Sequence, residues 1–311
     1  MIRTLLLLFT MLPLAAAAQA RPRVVVLKSA DLAAYAALVA GFTSEVRADV
    51  EQHLLPRHPE DAAKLVARIK ETKPSMVLAV GPSAANAGVA GLGRIPLLFA
   101  MVPYYERYGL EGQNVVGIAL TNDFTPEIAA LTAAFPSVRR VGVLHDPRYS
   151  GPQLEVLGAA AKDRGLRLVP LPVSSSEGVD KALVGLTSRV DALVMVSDKT
   201  VGSSEVVRAL IKVSDESSLP LVGLSSTQVQ EGALMALSPS YVGLGQQAGR
   251  LANRIVHEKV DPSALAVARP EALELSVNLS RARKLTTKEH PVTEGLLTHA
   301  AMKGLTLRVF E

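Results

Sequence analysis

The chain contains no cysteine and no tryptophan, and only 4% of its residues are aromatic. Without cysteine there is no disulfide, no thiolate nucleophile or metal ligand, and no N-terminal cysteine to carry a lipid. The shortage of rings disfavours a carbohydrate ligand, because sugars are gripped by stacking their apolar faces on aromatic side chains, and only six Tyr and six Phe are present. A basic stripe is also missing. Lys and Arg total 33 against 29 Asp and Glu, a formal charge of +4, and the tightest groups are Arg139-Arg140 and Arg281, Arg283 and Lys284. With no interleaved aromatics, this is solvated surface and no nucleic-acid partner is expected.

Catalytic constellations are equally scarce. The histidines, at 53, 58, 145, 257, 290 and 299, form no His-x-x-x-His pair and no Glu-flanked zinc motif. His53 and His58 flank Pro56 and read as a surface loop. No Gly-x-Ser-x-Gly elbow occurs, and Gly81-Pro82-Ser83-Ala84-Ala85-Asn86 has neither the spaced glycines of a dinucleotide fingerprint nor the Gly-Lys-Ser/Thr of a phosphate loop. A hydrolase would require Ser83, His145 and Asp198 to converge. The expectation is therefore a protein that is not an enzyme and has no cofactor or metal.

What is present begins at residue 1. Arg3 gives a positive start, Leu5 to Ala18 is an apolar run shorter than the ~20 residues of a spanning helix, and Ala18-Gln19-Ala20 is a small-x-small cleavage site. Residues 1–20 thus read as a signal peptide, with a mature start at Arg21 and a bacterial periplasmic location; an uncleaved membrane anchor is the alternative. The remainder is too long for one compact core and suits two lobes.

After residue 20 the pattern alternates strand and helix, the mark of parallel sheets covered on both faces. RVVVLK (23–28), MVLAV (76–80), PLLFAM (96–101) and VVGIA (115–119) are strand runs, with helical apolar spacing at Tyr35, Leu38, Val39, Phe42 and Val46, and again at Ala62, Leu65, Val66 and Ile69. A second series opens at Thr125-Pro126-Glu127, where Thr125 is an N-cap candidate before a proline. Strands RVGVLH (140–145), 167–173, ALVMVS (192–197) and PLVG (220–223) follow, separated by helices over 153–164, 179–187 and 201–216. A last helix covers 241–258. The fold class is α/β, with two doubly wound parallel-sheet lobes.

In such sheets ligands bind beyond the carboxyl ends of the strands. Those ends carry Ser29, then the turn with Ser83 and Ala84, and in the second series Asp146, Asp198, Thr200, Ser225 and Ser226. Free N–H groups at the Gly81 turn and the Ser83 hydroxyl suit a carboxylate, unless the small residues serve only close packing. Asp198, directly after an apolar run, either pairs with a ligand ammonium group or caps the helix that begins nearby.

Several segments, in order, resemble the ABC-transporter substrate-binding proteins of the tryptophan/tyrosine-binding type. They are MVLAVGPSAA (76–85), IPLLFAMVPYYERYGLEGQNVVG (95–117), VDALVMVSDKTVGSS (190–204), GALMALSPSYVGLGQQAG (232–249) and LSVNLSRARKL (275–285). Three departures stand out: Val102-Pro103 where the family commonly places Asp-Pro, Ser83 in place of Thr, and a tail, Thr286–Glu311, that does not follow the family's short ending. The resemblance implies a type I periplasmic binding fold, with lobe one at 21–121 plus 238–262, lobe two at 122–237 plus 263–285, and a C-terminal tail at 286–311. Hinge strands are expected near Asn122, Ser238 and Arg269, with closure over a ligand as a hinge motion. It also implies a small polar ligand, an amino acid among the options, delivered by a monomeric receptor to an inner-membrane ABC permease. The alternative is a ligand-sensing protein that signals to a membrane partner.

Overall fold

Val24 and Val26 point to one side of their strand and Val25 and Leu27 to the other, yet all four are fully buried. A strand buried on both faces needs a helical layer on each side. In the computed structural model, which describes residues 21–103, 105–110, 112, 114–120, 123–287 and 291–311, that is how the first lobe is built. The expected signal peptide and Asn122 lie outside the described residues.

The first lobe runs β1 (Arg23–Lys28), α1 (Ala33–Glu45), β2 (Asp49–Leu54), α2 (Pro59–Glu71), β3 (Met76–Val80), α3 (Pro82–Gly91), β4 (Leu97–Pro103) and β5 (Val115–Leu120). The chain then crosses into α4 (Thr125–Ala134), β6 (Arg140–His145), α5 (Gly151–Asp163), β7 (Arg167–Pro172), α6 (Val179–Leu183), α7 (Leu186–Arg189), β8 (Ala192–Val194), α8 (Ser204–Glu216), β9 (Leu221–Gly223), α9 (Ser226–Glu231) and β10 (Met235–Pro239). It closes with α10 (Tyr241–Val256), β11 (Leu273–Asn278), α11 (Leu279–Leu285), α12 (Val292–Lys303) and β12 (Thr306–Phe310).

The five-stranded sheet has order β2-β1-β3-β4-β5, all parallel. The seven-stranded sheet has order β12-β11-β10-β9-β8-β6-β7 and is parallel except where β10 meets β11. On one face of sheet one, Val24 and Val26 pack with Leu38, Phe42, Leu244 and Ala248 of α1 and α10. On the other, Val25 and Leu27 pack with Leu65, Val66 and Ile69 of α2 and Ala84 of α3.

α10 follows a strand of the second sheet but packs on the first lobe, and small residues make this possible. A Cβ at Gly245 would fall 1.9 Å from the Leu38 carbonyl oxygen, and one at Gly41 would fall 2.1 Å from that of Val242, so the helices meet backbone to backbone. Asn253 locks the contact, donating to the Glu45 carbonyl (3.0 Å) and accepting from the Arg47 amide (2.9 Å). The chain therefore passes between the lobes three times, at β5–α4, β10–α10 and α10–β11.

Several local expectations are corrected. DVEQHL forms β2, a strand whose mostly exposed side chains give no apolar run; its backbone pairs with β1 from Arg23↔Asp49 onward. His53 is on that edge strand rather than in a loop, its Nε2 2.8 Å from Glu51 Oε1. Phe124, in the left-handed region (φ 51°), takes the N-cap position of α4 that Thr125 was expected to fill. β8 ends at Val194, short of Ser197, and the helix over 179–187 breaks into α6 and α7 at Gly185 (φ 67°). The tail adds α12 and the edge strand β12 to lobe two, burying Val292, Leu296 and Ala300 in its core. It is anchored through α11, where buried Arg281 pairs with Asp215 and donates to Ser214 Oγ at 3.1 Å. Among the described residues no helix is long and apolar enough to cross a membrane.

Candidate functional site

Between the two sheets, where the chain crosses, lies a cavity of about 310 Å³. Met101, Pro103 and Leu120 supply its wall from lobe one. Ser197, Leu224, Leu237 and Ser238 supply the facing wall from the carboxyl ends of lobe-two strands, and Tyr241, Arg269, Pro270 and Leu273 close it on the crossing segments.

Irregular backbone aims these residues. The pairing of β4 with β5 slips between Phe99 and Val102, and Met101 sits in the slip with φ 57°. Phe124, also left-handed, stands at the first crossing. Non-glycine residues in this conformation are costly, by about 1–3 kcal/mol each, and persist where the surrounding structure holds them. The third crossing is tied down twice. Ala119 donates to Ala268 and Ala268 to Gly117, both at 2.9 Å. Buried Gln247 of α10 donates to the Arg269 carbonyl (2.8 Å) and accepts from the Glu271 amide (3.1 Å).

The charged groups of the cavity are Asp123, Glu127 and Arg269. Arg269 pairs with Asp123 at 3.2 Å, and Asp123 also accepts from the Thr125 amide at 2.7 Å. Burial pushes the Glu127 carboxyl up to about 7; its own backbone N–H opposes this and the Asp123 charge adds to it.

The residues expected at the site occupy three separate places. Ser29 accepts from the Ala84 amide at 2.8 Å, tying the end of β1 to the start of α3. Gly81 between them has φ 92°, and a Cβ there would fall 2.3 Å from Tyr35 Oη, so only glycine fits. Ala84 is fully buried, while Ser83 is exposed and, with Ser29, lines a groove of about 820 Å³ between α2 and α3 rather than the cavity between the sheets.

Asp146, Asp198 and Thr200 are brought together in lobe two. Asp146, wholly buried, accepts from Thr200 Oγ1 (2.5 Å) and forms a two-point pair with Arg148 (3.0 and 2.6 Å), which holds its carboxyl well below the usual carboxylate range. Asp198 accepts from the amides of Asp146 (2.9 Å), Thr200 (2.9 Å) and Val201 (2.8 Å). These bonds use both oxygens to shape the loops after β6 and β8. Asp198 also lines a recess of about 350 Å³ with Arg107, Arg148, Tyr149 and Lys199, which shares Ser197 with the cavity between the sheets. Ser225 caps α9, accepting from the Gln228 amide, and Ser226 is half-buried as that helix's first residue. His145 is buried, its Nδ1 3.2 Å from Ser150 Oγ, and burial holds its pKa down. Among the described residues nothing joins it to Ser83.

A family profile described as ABC transporter substrate binding protein matches residues 49–302. The chain belongs to that family. It is 26% identical over 218 residues to a tyrosine-binding protein of Clostridioides difficile (strain R20291), the match covering 67% of this chain and 61% of that relative's length. Of solved structures, the ligand-free, open form of a substrate-binding protein with adhesive properties from Clostridium difficile superposes with TM-score 0.75 at 19% identity, covering 93% of this chain and all of that one. An ABC domain in complex with L-Trp from Streptococcus pneumonia gives TM-score 0.61 at 17% identity, over 92% of this chain and all of that one. The fold is that of the type I periplasmic binding proteins, as the two parallel-sheet lobes and this likeness agree.

Met101 and Leu237 are apolar and so carry no polar signature at a strand end, and Tyr241 stands at the start of α10 rather than at the end of a strand. Glu127 entered only as part of a helix start. Its signal was present, since it is an acidic residue in the first turn of the helix after the first crossing, but nothing local marks it as lining a cavity.

Proposed function

We propose that this substrate-binding protein is an exported receptor that captures a small polar molecule, an amino acid, between its lobes and hands it to an inner-membrane ABC permease. The observation that carries the reading is the cavity between the sheets, bounded by all three crossings, with apolar walls and a few polar groups. A site whose walls come from both lobes is complete only when they approach, so ligand binding favours the closed arrangement, and a hinge at Ser238 and Arg269 serves this closure. The tyrosine-binding relative and the L-Trp complex support an aromatic amino acid as the first ligand to test. No step of chemistry is assigned to the chain, and it acts as a monomer in the periplasm after removal of residues 1–20.

The test is a thermal-shift screen of the mature protein, refolded to strip co-purified ligand, against amino acids, small carboxylates, sugars and nucleosides. A ligand at about a hundred times its Kd stabilises by ~2.7 kcal/mol. Stabilisation confined to amino acids supports the reading, and a panel without any stabilising compound removes it.

A further inference from the structure

Glu127 is the third residue of α4, and its side chain lines the cavity between the sheets. Among the described residues its carboxylate has no side-chain partner, and the hydrogen bond it receives comes from its own backbone N–H. The surfaces that line the cavity with it are poor in charge. β4 contributes Met101 and Pro103, β5 Leu120, the loops after β8 and β9 Ser197 and Leu224, and β10 Leu237 and Ser238. The other titratable groups are Tyr241, Asp123 and Arg269, and the last two are already paired with each other. A carboxylate in such a wall is costly without a proton or an opposite charge. Every comparable lobe-two carboxylate (Asp146, Asp191, Asp198) is engaged by a guanidinium, by backbone amides or by both.

We propose that Glu127 selects a ligand carrying a protonated amine on a small apolar body, the ligand's ammonium being the partner that the cavity withholds. This rests on the cavity being the ligand site. At about 310 Å³ it stands at the small end of ligand pockets, roughly 300–1,000 Å³, which suits a molecule of amino-acid size. Near neutral pH Glu127 carries its proton in part of the population, since its pKa is about 7. An arriving ammonium stabilises the carboxylate, so the carboxyl proton leaves to the buffer as the ion pair forms.

The experiment is isothermal titration calorimetry of the mature protein with three sets of probes. They are L-tyrosine, L-tryptophan and L-leucine; their decarboxylated amines tyramine, tryptamine and isoamylamine; and the deaminated acids hydroxyphenylpropionate, indolepropionate and methylpentanoate. The expected result is binding by amino acids and amines with little by the acids. Glu127→Gln should weaken the amines about tenfold to a hundredfold. Wild-type binding enthalpy at neutral pH should depend on the buffer's ionisation heat, and affinity should fall by about tenfold per pH unit below the Glu127 pKa. Both effects should vanish in Glu127→Gln and partly return in Glu127→Asp. Binding carried by the acids, or amine binding unchanged in Glu127→Gln, overturns the proposal and leaves the receptor reading standing. No binding by any probe overturns both. If Glu127 serves only the helix start, Glu127→Gln lowers Tm while affinity and proton release stay as in the wild type.

Discussion

Carboxylates stand near the carboxyl ends of strands in two parts of this molecule, and the molecule treats them in opposite ways. In lobe two, Asp146 and Asp198 are surrounded by donors: a guanidinium, a hydroxyl and backbone amides. At the crossing between lobes, Glu127 lines a cavity together with proline, leucine and methionine, and among the described residues no cation pairs with it. The first arrangement spends its polar atoms on holding loops in shape. The second leaves one carboxyl group without a partner in an apolar wall. Polar residues at strand ends are thus not by themselves a binding surface; what counts is whether the fold has already satisfied them.

That contrast can be broken from either side, and the largest effect should come from the packing behind the hinge. Gly245→Ala drives a methyl group into the Leu38 carbonyl. Because α10 also carries Tyr241 and Gln247, the helix cannot shift without moving the cavity wall. A loss of about 3 kcal/mol or more in chemical denaturation, with ligand affinity falling alongside, is expected. Near-wild-type stability would mean that the helices do not meet backbone to backbone.

Asp198→Ala should cost about 1–3 kcal/mol, because three part-buried loop amides lose their acceptor. Its amine affinity should stay within about threefold of the wild type. Abolished binding in a folded Asp198→Ala protein would make Asp198 a ligand contact and erase the contrast.

Glu127 should reveal itself in the pH dependence of stability. Its native pKa, about 7, lies above the 4.5 of the free side chain. Between those values the native state binds more protons than the unfolded chain, so this group's contribution to stability falls as pH rises through that window and is fully lost above it. Relative to the wild type, Glu127→Gln should gain on the order of 1–2 kcal/mol at about pH 8 and little at about pH 4, after allowance for the partial exposure of the site. Denaturation midpoints across that range measure it, and parallel profiles would show that Glu127 is not held in its protonated form. The smallest effect belongs to Ser225→Ala, which removes the cap of α9 for about 0.5–1 kcal/mol and should leave affinity unchanged.

The legible and illegible parts of the sequence divide along similar lines. RVVVLK and MVLAV read as strands because a parallel strand buried on both faces is an unbroken apolar run. DVEQHL did not, because an edge strand held by backbone hydrogen bonds needs no apolar side chains. The tail's helix had a usable signal in Val292, Leu296 and Ala300, four residues apart on one face. At the candidate site, Ser29, Asp198 and Ser225 were visible as short polar residues after strands, and for Asp198 the alternative of capping was visible too; the hydrogen bonds of all three are of the capping and loop-holding kind. Met101 and Leu237 look like core in any one-dimensional reading. Only the slip in β4 and the third dimension turn them toward a cavity.

The most direct test of this account is a crystal structure of the mature protein grown with the amino acid that stabilises it most. The account places the ligand within about 4 Å of Met101, Pro103, Leu237 and Tyr241, with its ammonium nitrogen on the Glu127 carboxylate. A ligand seated instead on Ser29 and Ser83 in the groove between α2 and α3, or with its ammonium on Asp198, would contradict it.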